Sequence, residues 1–154
     1  MSVTGAVERA SYVLLRIGNR RFALPSRGIV ELAPPVRLHD FPHSSKFVAG
    51  VIVRRGRIVP VYDVAPLLTG RESPLHRFYL IANLAFGADE EASAIPVTGE
   101  CELASGDVTE RADDDPDYFS GKLSVNEEAV NVLNLEALVA AGAERAAALQ
   151  GARA

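Results

Sequence analysis

The chain has 154 residues, 48% of them apolar, which suits one compact domain or two small barrels sharing a core and excludes a disordered polymer. Its net charge of −4 and isoelectric point near 5.4 leave no broad positive field of the kind that holds nucleic acid in bulk. A single cysteine, Cys101, rules out an intrachain disulfide and fits a reducing cytoplasm, and no apolar run approaches the ~20 residues of a membrane-spanning helix.

In chain order, residues 1–11 are short and mixed and read as a loose tail without the charged and apolar regions of a secretory signal. Tyr12–Ile17 and Arg21–Leu24 flank Gly18-Asn19 in a hairpin pattern. Ile29–Leu32 reads as a strand closed by Pro34-Pro35, and Val36–Lys46 as a loop. Two Val- and Ile-rich runs follow, Phe47–Val53 and Ile58–Tyr62, joined by Arg54-Arg55-Gly56-Arg57. Gly56 supplies the positive φ of a tight reversal, so this stretch is a hairpin whose tip carries three arginines.

Val64–Leu68 reads as a turn, and the neighbourhood of Gly70–Pro74 as the boundary between two halves. His76–Leu84 holds a further strand, Gly87–Glu91 an acidic turn, and Ala94–Val97 with Cys101–Leu103 one weaker strand disturbed by Pro96 and Gly99. Gly106–Pro116, with Asp113-Asp114-Asp115, reads as an exposed acidic loop. Tyr118–Val125 and Ala129–Leu133 are two more strands. Asn134 is placed to cap a helix over Leu135–Ala141, and Ala143–Ala154 either extends it past Gly142 or frays. Many short strands with Gly and Pro turns make this an all-β barrel or sandwich.

Catalytic and metal chemistry find little support. Asp40, His43 and Ser44 lie in no nucleophile motif. His39 and His43 are separated by Pro42, which prevents a shared helical face, and the Asp113–Asp115 run lacks the glycine and closing glutamate of a calcium loop. Cys101 has no CxxC partner and reads as a structural thiol. The expectation is therefore no catalytic residue, no metal and no cofactor. For the arginine turn, the plain reading is a tip kept in water. One alternative is single-stranded nucleic acid bound through Arg54–Arg57 with Tyr62 and Phe47 for stacking, although aromatics are only 6% of the chain. The other is a protein interface, where a planar guanidinium binds a carboxylate in bidentate fashion.

The stretch Gly50–Ala65 resembles the signature of the CheW-like domain, roughly G-V-x-N-L-R-G-x-I-V-P-V-x-D-L-R. Tyr12–Leu24 is similar to that family's first hairpin, Ile29-Val30-Glu31-Leu32 to its V-x-E-I segment, Tyr118–Gly121 to a late Y-x-x-G, and Val132–Leu138 to its closing strand and helix. The chain departs from the pattern at Val53-Arg54, where Asn-Leu is usual, and at Asp63-Val64-Ala65, where Asp-Leu-Arg is usual. Ala94–Thr98 also lacks the family's glycine and aspartate.

The resemblance implies one domain over residues 12–141, made of two small five-stranded β-barrels around a shared core, with short helices including one near the C-terminus and an Ala-rich segment, residues 142–154, beyond it. It implies a non-catalytic cytoplasmic adaptor, with a pilus or flagellar output left open, recruited to membrane-associated receptor arrays without inserting in the membrane. Its partners would be the regulatory domain of a CheA-type histidine kinase and the cytoplasmic tip of a methyl-accepting chemoreceptor. The partner-binding residues it carries over are Ile29, Glu31, Arg55 and Gly56; the pattern does not require Arg54 and Arg57, which read as solvated members of the tip, with an altered acidic partner surface as the sharper alternative.

Overall fold

The computed structural model describes residues 11–40, 47–71, 78–86 and 88–151. Among these residues eleven strands and two helices follow in the order β1 (Ser11–Ile17), β2 (Arg20–Pro25), β3 (Ile29–Ala33), β4 (Val48–Arg54), β5 (Arg57–Tyr62), α1 (Ala65–Thr69), β6 (Phe78–Phe86), β7 (Asp89–Val97), β8 (Cys101–Ser105), β9 (Val108–Glu110), β10 (Phe119–Val125), β11 (Glu128–Leu133) and α2 (Leu135–Gly151). They form a six-stranded sheet, β8-β1-β2-β11-β10-β9, and a five-stranded sheet, β3-β6-β7-β5-β4.

Each sheet is built on two hairpins joined by one parallel pair, β2 beside β11 in the first and β7 beside β5 in the second, with β8 and β9 added at the edges of the first and β3 at one edge of the second. Alternation along the strands then serves two interiors at once. Ile52, Val59, Val61, Tyr79, Ile81 and Ala94 fill the five-stranded sheet, and Leu14, Ala23, Leu123, Val130 and Val132 fill the six-stranded one. The opposite faces of the same strands, with Leu15, Phe22, Leu80, Ile95 and Leu133, meet Val64 at the start of α1, Leu68 within it, and Leu138 and Val139 of α2 in a shared central core. Arg20 ties the layers together: its guanidinium donates to the Leu68 carbonyl at 2.7 Å and lies over the Phe22 ring at 5.2 Å.

The all-β, two-barrel expectation holds, with these corrections. The six-stranded sheet exceeds the expected five because Val108–Glu110, read as acidic loop, pairs with β10. The segment read as one weak strand is two, β7 and β8, which belong to different sheets; the chain crosses between them at Thr98–Glu100, where the Thr98 amide donates to the Arg16 carbonyl at 3.0 Å. Asp89–Glu91, read as a turn, continues β7, because β6 is long enough to pair with it as far as Phe86. Val64–Leu68 is no plain turn: Ala65–Thr69 is a helix with Pro66 in its first turn and Gly70 at φ 77° as its C-cap. The boundary expected around Gly70–Pro74 falls mostly outside the described residues; the strands on either side of it, β5 and β6, join the same sheet.

At the ends of the chain, β1 begins at Ser11, the last residue expected in the tail. The Asn134 cap forms, its Oδ1 accepting the Ala137 amide at 3.1 Å, and α2 runs unbroken through Gly142. That glycine lies against Phe47, where a methyl group would fall 2.0 Å from a ring carbon.

Candidate partner-binding site

The β4–β5 tip reverses with positive φ at both central residues, 52° at Arg55 and 77° at Gly56, the backbone of a type I′ hairpin turn. A methyl group on Gly56 would meet nothing within 4 Å, so glycine is needed there for conformation rather than space. At the other end of the hairpin, the His39 and Val51 backbones exchange hydrogen bonds at 2.8 and 2.9 Å, which lays the segment after β3 along the edge of β4. This close approach requires Gly50, at φ 151°, where a methyl group would lie 2.3 Å from the His39 oxygen.

Glu31 sits on β3 and the arginines at the end of β4, so the two outer strands of the five-stranded sheet face each other across the curl. Arg54 shares strand parity with Ile52, which is fully buried, and Glu31 shares it with buried Ala33. Both therefore project toward the barrel's mouth. Arg54 Nε donates to Glu31 Oε1 at 2.5 Å, and an Arg55 terminal nitrogen donates to Oε2 at 3.1 Å. Side-chain exposures are 16% for Glu31, 29% for Arg54 and 76% for Arg55. The Glu31 carboxyl is held below its ordinary value, chiefly by the hydrogen bond from Arg54, against the opposing pull of burial, with Arg55 adding a smaller part.

Glu31 and Arg55, both carried over from the resemblance, are thus brought together, and Gly56 shapes the turn that presents the arginine. Arg54 is the correction: it is no solvated member of the tip but the closer of the two cations on Glu31. The signal lay in the sequence, because a residue two after Ile52 on one strand points the same way. Arg57 is exposed and has no ion-pair partner among the described residues. Ile29 stands apart. A bulge between Ile29 and Glu31 breaks the alternation, so Ile29 pairs with Ala82 and Glu31 with Ile81, on opposite faces. Ile29 lines a cleft of about 260 Å³ between the sheets, together with Leu24, Ala82, Leu133 and Glu136. Sequence reasoning also passed over the apolar surroundings of the tip. Val30, Val53 and Ile58 are exposed by 52%, 52% and 71%, and Val53 pairs with Ile58 across the hairpin next to the arginines.

The other candidates do not assemble. Phe47 and Tyr62 pack on each other, ring centroids 5.4 Å apart, with Phe47 in the central core, so they give no exposed platform for bases. Among the described residues no group of three His, Cys, Asp or Glu could hold a metal ion; His43 and Ser44 lie outside those residues. In the acidic loop, Asp115 accepts the Ala112 amide and Arg111 holds the Asp115 carbonyl and Asp117, so the loop is tied to itself. Burial pushes the Cys101 thiol up, away from a reactive thiolate.

Comparison with known proteins matches residues 11–143 to the family model of the CheW-like domain. A curated relative, Protein FrzA of Myxococcus xanthus, is 26% identical over 145 residues, covering 89% of both chains. The crystal structure of the scaffolding protein TtCheW from Thermoanaerobacter tengcongensis superposes with a TM-score of 0.72 at 16% identity, covering 85% of this chain and 88% of that one.

Proposed function

The chain belongs to the CheW-like domain family, whose members are non-catalytic scaffolds of chemotaxis-type signalling, and from that premise we propose that it couples chemoreceptors to a CheA-type histidine kinase. Its cytoplasmic surface would meet the helical tip of a receptor on one side and the kinase's regulatory domain on the other. The observation that carries this reading is the assembled charge group at the β4–β5 tip. Glu31 gathers Arg54 and Arg55 at the barrel mouth, with Arg55 in water beside a turn bordered by the exposed Val53–Ile58 pair, which is the composition of a protein-docking patch rather than of a solvated turn.

The test is bridging. Membranes carrying chemoreceptor are sedimented with purified CheA-type kinase in the presence and absence of this chain. The proposal expects the kinase in the pellet only when the chain is added. Kinase that pellets equally without it, or stays in solution with it, contradicts the coupling role.

A further inference from the structure

We propose that two neighbouring arginines divide the work at this tip: Arg54 neutralises Glu31 permanently, and Arg55 leaves Glu31 to bind a carboxylate on a protein partner. The inference rests on the coupling reading and adds to it which arginine moves, and why it is free to.

Glu31 uses each carboxylate oxygen for a different guanidinium, Oε1 for Arg54 at 2.5 Å and Oε2 for Arg55 at 3.1 Å. Were Arg55 the sole partner, its departure would strand a carboxylate that is mostly covered, and leaving a covered charge unpaired is costly. With Arg54 in place, Glu31 keeps its shorter contact when Arg55 departs. Arg54 is the more enclosed of the two and projects toward the barrel mouth, whereas Arg55 is largely in water on a turn whose backbone the hairpin holds. Only the Arg55 side chain then has to reorganise on docking, which limits the ordering cost.

The partner chemistry follows from what surrounds Arg55. Glu31 Oε2 already occupies the position that a partner's carboxylate oxygen would take. The exposed Val53–Ile58 pair that borders the turn favours an acidic side chain flanked by apolar ones, and among the described residues no exposed aromatic pair offers bases a surface to stack on. Arg54 replaces the leucine usual at this position, so the division of labour belongs to this chain rather than to the family pattern.

The experiment titrates a purified chemoreceptor tip fragment, a helical hairpin from the same genome, with four proteins: wild type, Arg55→Asn, Arg54→Leu, and Arg54→Leu combined with Glu31→Gln. Circular dichroism establishes that each is folded at the assay temperature. Arg55→Asn keeps a residue that tolerates positive φ and should weaken binding by about 30-fold or more. Arg54→Leu leaves Glu31 to hold Arg55 and should weaken binding about tenfold. Adding Glu31→Gln releases Arg55 and should return most of that loss, which a purely structural role of Arg54 does not predict.

In the free wild-type protein, side-chain nitrogen resonances should show Arg54 Nε–H protected from exchange and Arg55 Nε–H in rapid exchange. Equal protection of the two, or no recovery in the double variant, overturns the division of labour while leaving the coupling reading intact. A wild type that binds the tip without any dependence on Arg55 does the same. A wild type that binds neither receptor tip nor kinase domain overturns the reading and the inference together.

Discussion

Glu31 and Arg54 stand on the two outermost strands of the five-stranded sheet, and their 2.5 Å contact links edges that share no backbone ladder. The pair closes the barrel at its mouth, as the His39–Val51 bridge closes it further along β4. Removing Arg54 should therefore be felt in stability. Arg54→Ala leaves Glu31 with only an exposed partner and should cost about 1–2 kcal/mol, a fall of a few degrees in Tm for a chain of this size. Arg55→Ala should stay within about 0.5 kcal/mol of wild type, since its pair is exposed and alanine meets the same positive φ that arginine does. Thermal melts of the two variants, compared with wild type, check the order.

The same pair makes stability depend on pH. The folded state holds Glu31's carboxyl below its ordinary value, so the unfolded chain takes up the proton first as the solution is acidified. The contribution is complete above the unfolded value and is lost as pH falls through the folded one. Urea midpoints of wild type and Glu31→Gln measured down the pH scale should differ at neutral pH in favour of wild type and converge in acid. A gap that widens in acid would contradict the sign.

Gly142 is a second place where geometry overrides local preference. Alanine is the better helix former by about 1 kcal/mol, yet its methyl group would lie 2.0 Å from the Phe47 ring. Gly142→Ala should destabilise by about 1–3 kcal/mol through overpacking, read as a lower Tm, with part of the loss recovered by Phe47→Leu.

Ser93 offers the opposite case. It is 3% exposed in β7 on the face that carries Ile95 into the central core, and its hydroxyl has no hydrogen-bond partner among the described residues. Ser93→Ala removes the buried polar atom and should be neutral or stabilising by up to about 1 kcal/mol, checked by urea denaturation.

The β4–β5 hairpin was legible in the sequence because three signals agree there: dense Val and Ile, a glycine turn, and alternation that carries Ile52, Val59 and Val61 inward. The strand β9 was not, because all three of its residues are exposed and its one apolar residue, Val108, sets no alternation; it exists only because β10 offers a free edge. The acidic start of β7 was hidden for the same reason, its pairing with β6 being a tertiary fact. At the site, Glu31 and Arg55 came from the resemblance, while Arg54 was discounted because it departs from the pattern. Its inward parity with Ile52 outweighed that departure. Ile29 and Glu31, two apart in sequence, should share a face by alternation, and only the bulge sends Ile29 to the cleft.

The most direct measurement is a calorimetric titration of this chain with the regulatory domain of a CheA-type kinase, alone and with the receptor tip already bound. The account predicts saturable one-to-one binding of the kinase domain that persists when the tip is present. Failure to bind the kinase domain, or displacement of it by the tip, would contradict a protein that holds both partners at once.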